Sequence, residues 1–331
     1  MGKKDTITKD YMKDNAVFAD VFNYLMYEGK NVIQPEQLRP FDTTAVVIPD
    51  SEIDSYRPVQ KVRDEFKGLS LMEDGEKIYL LLGIENQSEL HYAMPVRNMF
   101  YDAMEYASQV EEKNKIHNKD RKKGPVSRIS SGEFLTGFYK KDRLIPVVTL
   151  VIYLGADVWE APRNLHEMFD ITSEEVLRYI PDYKINLIAP AEMTDEEINQ
   201  FQTDFREVML FVKYSKDKKY LKKLVSEDTY FSSMNVKTAR VISAVTGIEI
   251  ELEDAKEEVN MCQAIDEMIA DGRAEGRAEG RAEERSHGIC ALVEMAQEYL
   301  IPKEKLIEKL EDKFNISEKE AEDYICLYTK R

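Results

Sequence analysis

The chain has 331 residues, enough for one large domain or two ordinary ones with a substantial core. Its formal charge of −17 excludes a protein that coats nucleic acid non-specifically, which needs clustered Lys and Arg, yet leaves room for a local basic groove or a carboxylate-rich metal site. Cys262, Cys290 and Cys326 lack CxxC spacing, the N-terminus has no apolar signal region, and the apolar run in Leu144–Leu154 falls short of the roughly 20 residues a membrane span needs, so a cytoplasmic protein without zinc, disulfides or a membrane partner is expected.

In chain order, residues 8–28 read as one helix. Val17, Phe18, Val21, Phe22 and Leu25 recur at helical spacing, and Glu28-Gly29 closes the segment. Its polar members, Asp20 and Asn23 among them, either face water or point toward the hairpin that follows. Thr43–Ile48 and Val59–Phe66 read as strands. Asp74-Gly75 marks a hairpin turn. Lys77–Glu85 is a nearly continuous apolar strand, which predicts a central position in a sheet.

Residues 92–112 predict a helix with Pro95 in its first turn. A basic run follows, Lys113, Lys115, Lys119, Arg121, Lys122 and Lys123, and Arg128 continues the bias. It reads either as a solvated loop or as a surface for nucleic-acid phosphates. Leu144–Leu154 is a second apolar strand, followed by Gly155 and the single Trp159. Ile185–Ile188 is a further strand. Residues 193–227 are expected to be helical, opening on a capping box at Thr194–Glu197. Residues 236–260 look helical with an interruption at Gly247.

From 250 to 288 the chain is charged and carries a repeat, Gly272-RAE, Gly276-RAE, Gly280-RAE. On one long helix the period of four lines up the glycines, with an Arg row on one side and a Glu row on the other. Such a helix is either a partnerless surface helix or the seam of a homodimer through 272–284. Residues 289–331 form a small helical unit whose last helix opens on a Ser317–Glu320 capping box. The domain organisation read from this is 1–230, 231–288 and 289–331.

The chemistry-bearing residues lie between Val62 and Tyr101. A carboxylate on one strand, Asp64, and another at the end of the next, Glu85, can meet on one side of a hairpin and share a hard divalent cation. The Asn86 carbonyl can add an oxygen. Gln87, two residues after Glu85, faces the same side and can orient a water. Arg97 and Tyr101 share a helical face; they either contact phosphate or form a buried Arg–carboxylate pair with a Tyr lid. Asp102 and Glu105 are expected to be solvated. His91, His117, His166 and His287 show no ligand spacing.

Together these motifs, Arg63-Asp64, Glu85-Asn86-Gln87-Ser88, Met94-Pro95-x-Arg97-x-x-x-Tyr101, and the Leu144–Gly155 strand with Trp159, resemble the PD-(D/E)xK nuclease superfamily. More narrowly they resemble the Rpn-type recombination-promoting nucleases, or YhgA-like transposases, across residues 10–290. The resemblance implies an α/β fold: a restriction-endonuclease-like core, with a mixed central sheet flanked by helices, and an α-helical C-terminal extension. It implies Mg²⁺- or Mn²⁺-dependent cleavage of DNA phosphodiester bonds. Asp64, Glu85 and Gln87 would be catalytic, and Asp64, Glu85 and the Asn86 carbonyl would hold the metal. Asp20, Arg97 and Tyr101 would be auxiliary, in a cleft bordered by 113–143. Gln87 stands where the superfamily often has lysine, and Phe18-Ala19-Asp20 replaces the usual Phe-Lys of the first helix. A catalytically inactive nuclease fold serving as a binding or assembly module is the alternative.

Overall fold

The computed structural model describes residues 3–40, 44–47, 59–62, 64–73, 76–123, 129–171, 173–250 and 258–329. The expected single N-terminal helix is two, α1 (Lys3–Met12) and α2 (Asn15–Tyr27). The break has a local cause. Asp14 takes an extended conformation and its Oδ1 accepts the amide of Ala16 at 2.8 Å, capping α2. At the other end Glu28 and Gly29 adopt positive φ and stop the helix, as the sequence indicates.

Five strands form the main sheet: β1 (Leu38–Pro40), β4 (Glu65–Glu73), β5 (Glu76–Gln87), β6 (Val147–Tyr153) and β7 (Asn186–Ile188), in the order β1-β4-β5-β6-β7. A separate antiparallel pair joins β2 (Thr44–Val47) to β3 (Val59–Val62). The expected Val59–Phe66 strand therefore contributes to two sheets, through β3 up to Val62 and β4 from Glu65. β4 and β5 make an antiparallel hairpin, while β5–β6 and β6–β7 run parallel. The apolar run in β5 lies between two neighbours, as its composition requires.

Helix α3 (Met94–Lys123) crosses one face of the sheet between the parallel strands β5 and β6. It continues to Lys123 rather than ending near residue 112. Pairing along its own surface supports the extension: Lys115 bonds Glu111 at 2.7 Å and Lys123 bonds Asp120 at 3.1 Å. Basic residues in the last turn also suit the negative end of the helix dipole. The opposite face is covered by α2, whose Phe18 and Phe22 are fully buried.

After the short α4 (Ser131–Thr136), the chain forms α5 (Glu174–Leu177), α6 (Asp195–Ile198), α7 (Phe205–Tyr214), α8 (Lys218–Glu227) and α9 (Val236–Thr246). The expected 193–227 helix is thus three, the first opening on the Thr194–Glu197 capping box. α9 ends at Gly247 with φ 75° and packs against α1 and α7.

Two compact units result, Met1–Cys262 and Gln263–Arg331. The expected boundaries at 230 and 288 do not coincide with the division between these units. Residues 234–246 pack into the first unit, and residue 288 lies inside α10 (Met261–Glu298). In the second unit the end of α10 packs with α11 (Lys303–Phe314) and α12 (Glu318–Thr329) around Ile289, Val293, Leu306 and Leu310. Ser317 and Glu320 make the expected capping box. Among the described residues, no helix is long and apolar enough to cross a membrane.

Candidate active site

The hairpin register brings the two carboxylates together. Glu65 pairs with Ile84, so Asp64 and Glu85 are the next opposed positions. Opposed residues of an antiparallel pair share a face. Gln87, the last residue of β5, is two further on and shares it too. Asp64 precedes the ladder, and its Oδ2 accepts the backbone amide of Asn86 at 2.8 Å. The N–H and C=O of one strand residue point to the same side, so the Asn86 carbonyl faces the Asp64 edge. The Asn86 side chain, by alternation, lies on the other face.

Helix α3 closes this face. Glu85 is fully buried, and Arg97 reaches it with Nη2 2.8 Å from Oε2. The guanidinium lies 5.6 Å from the centre of the Tyr101 ring, itself 5% exposed. Of the two sequence readings of Arg97 and Tyr101, this is the buried Arg–carboxylate pair with a tyrosine against it. Burial works against the Arg97 charge, but Glu85 and then Tyr101 outweigh it and raise its pKa. Burial pushes the Tyr101 hydroxyl up, and Glu85 adds to this. Burial also raises Asp64, opposed by the Asn86 amide and then by Lys9 and Arg97, while Asp5 adds to the rise. Lys9 and Asp5 therefore belong to the surroundings of Asp64. Both lie on α1, and Asp5 precedes the 8–28 segment that the sequence reading treats as the first helix.

The donor set suits a hard cation in kind. Mg²⁺ is commonly held by one or two carboxylates with water and substrate oxygens. Asp64, Glu85 and the Asn86 carbonyl are all oxygen donors at one edge of the hairpin. Among the described residues, no group of three or more His, Cys, Asp or Glu side chains is gathered for a metal. Positive charge at Glu85 is supplied by Arg97, so a cation there would share or displace the guanidinium.

Other residues named from sequence are placed elsewhere. Asp20 is engaged by the chain itself: its oxygens accept Gln202 N, Thr203 N and Thr203 Oγ1 at 2.6–3.0 Å, fastening the turn before α7. Asn23 likewise binds Val32 and Ile33. Asp102 is not solvated. It is 8% exposed and accepts Thr149 Oγ1 at 2.7 Å and the Tyr183 hydroxyl at 2.5 Å, tying α3 to β6 and the chain before β7.

A buried lysine that sequence reading missed, Lys67, lies three residues after Asp64 and 1% exposed. It pairs with Leu82, on the opposite face from Glu85. Its Nζ donates to Lys13 O and Asn15 Oδ1 at 2.8 Å, and burial lowers its pKa.

The basic run does not border this cleft. Arg97 and Lys113–Lys123 share one continuous helix. At 1.5 Å rise per residue, the run lies about 24–39 Å from Arg97 along the axis. Arg128 lies outside the described residues.

No curated protein and no solved structure is detectably similar to the chain. A family model matches residues 70–239, taking in Glu85, Gln87, Arg97, Tyr101 and Asp102 but starting after Asp64. The match spans half the chain, from the β4–β5 hairpin to α9, and the chain belongs to the family described as "Putative transposase, YhgA-like".

Proposed function

We propose that the chain is a metal-dependent DNA endonuclease of the recombination-promoting type, with a PD-(D/E)xK-like core. The observation that carries the reading is the juxtaposition of Asp64 and Glu85 across the hairpin, with Asn86 between them at the same edge. Membership of a transposase family supports DNA as the partner.

When bound, a Mg²⁺ or Mn²⁺ ion would polarise a phosphoryl oxygen and lower the pKa of its water. Asp64, Glu85 and the Asn86 carbonyl would hold it. Asp64 is pre-set by its bond to the Asn86 amide, which fixes one carboxylate oxygen. Gln87 positions the attacking water with a neutral amide and contributes no charge. Arg97 neutralises Glu85 in the buried resting site, and the Tyr101 ring limits where the guanidinium can go.

A plasmid-nicking assay with Mg²⁺ or Mn²⁺ tests this on wild type, Asp64→Ala and Glu85→Gln. Cleavage by wild type and its loss in both variants is the expected result. Nicking that persists in Asp64→Ala would refute the assignment. One observation favours a second reading, an inactive nuclease fold acting as a binding module: Arg97 already fills the charge position beside Glu85. On that reading no purified form nicks DNA at any metal concentration.

A further inference from the structure

We infer that the distal half of α3 and the turn carrying α4 form a separate duplex-binding arm, whose Phe134 and Leu135 wedge into a groove of the DNA. The inference rests on DNA being the partner, as proposed above. It adds a site remote from Asp64 and Glu85, and a mode of contact that basic residues alone do not supply.

Phe134 is 61% exposed and Leu135 82%, adjacent on a helix of six residues. They are held outward by a turn stapled at several points. The Arg121 guanidinium lies 4.9 Å from the Phe134 ring centre. His117 stacks on Tyr139 at 3.7 Å and bonds Asp142 at 2.8 Å. Gln109 bonds both the amide and the carbonyl of Ile145. Gly137 has φ 65°, and a Cβ there would come within 2.2 Å of Asn114 Oδ1, so the turn closes on α3 only with glycine. A paired apolar projection held rigidly in water marks a contact surface.

The charge around it selects the partner. Lys119, Lys122 and Lys123 are exposed on α3, and Lys140, Lys141 and Arg143 on the turn. The acids among them are engaged locally. Glu133 accepts Ser130 N, Ser130 Oγ and Lys140 N; Asp142 accepts Tyr139 N and meets His117; Asp120 bonds Lys123. In a chain of charge −17, this surface presents apolar side chains in a positive surround. Cationic side chains would hold phosphates, and apolar wedges partly unstack a base step. Along α3 the cationic run lies about 24–39 Å from Arg97, the length of roughly 7–11 base-pair steps at 3.4 Å each.

The test uses the full-length protein in EDTA, with a 30-base-pair duplex carrying 2-aminopurine, read by anisotropy and fluorescence. Phe134→Ala and Leu135→Ser should each weaken binding by roughly tenfold and remove the fluorescence rise on binding, while leaving the salt dependence unchanged. Leu135→Ser keeps the Arg121–Phe134 contact, so its loss reports the tip itself. Lys119→Glu/Lys122→Glu/Lys123→Glu should flatten the salt dependence. If the charge variant behaves so but both apolar variants bind like wild type, the wedge is overturned and DNA binding survives. If wild type binds no duplex, both readings fail. If wild type self-associates in sedimentation and Leu135→Ser abolishes that without altering DNA binding, the tip is a contact between copies and the inference is overturned.

Discussion

At the scale of single residues, the Arg97–Glu85 pair carries the largest consequence. Glu85 is fully buried and Arg97 partly so. Removing one member of such a pair costs about 3–5 kcal/mol, because the other charge stays behind in low dielectric. Arg97→Met should therefore destabilise the chain by that order, and adding Glu85→Gln should return most of it. Urea unfolding of the two single variants and the double variant measures the coupling; independent, additive losses would show that the contact carries little energy. A second residue-scale prediction concerns Asp142. Its pKa is lowered: burial raises it, but the Tyr139 amide and His117 outweigh that. A depressed carboxylate contributes stability that is present above its unfolded pKa of about 4 and is lost as pH falls through the folded value. Asp142→Asn should thus lower the melting temperature by a few degrees at pH 7, with the gap closing below about pH 4. A gap that is constant with pH would assign the effect to packing alone.

At the scale of elements, Asp64 and Lys67 stand in one short stretch, just before β4 and inside it, but are committed to different tasks. Strand alternation sends Lys67 to the α2 face, where it bonds Lys13 and Asn15 at the α1–α2 junction. Lys67→Met should cost about 1–3 kcal/mol, since it strips the donor from the part-buried Lys13 carbonyl and Asn15 amide oxygen. It should leave metal-dependent nicking per folded molecule unchanged, measured by active-fraction titration. A selective loss of activity would place Lys67 in the catalytic set. Much of this region is legible in the sequence. The apolar run of β5 identifies a central strand, and period-two alternation aligns Glu85 with Gln87, while the expected Asp74-Gly75 turn lies outside the described residues. What is not legible depends on partners distant in sequence. Asp20 is recognisable as a polar residue on an apolar helix, but its bond to Thr203 belongs to the tertiary fold. The same holds for Asp102, whose burial depends on Thr149 and Tyr183. The persistence of α3 through its basic run reflects local pairing that outweighs charge repulsion.

At the scale of the whole molecule, the two compact units have separate cores. The only tryptophan, Trp159, is buried in the first. Its fluorescence therefore reports that unit's unfolding. Deleting residues 289–331 should leave the Trp159 thermal midpoint within about 2 °C of the full chain. A larger fall would show that the second unit lends stability to the first.

The packing of α1 on α9 has a further meaning while the protein is being made. Synthesis proceeds at about 5–20 residues per second, so on the order of 10–45 s separate the emergence of Met12 from that of Val236. For that interval α1 lacks the helix it packs against. Asp20 likewise waits for Thr203. α1 and α2 are thus secured long after they emerge, and the apolar side of α2 is the surface a nascent-chain chaperone would meet.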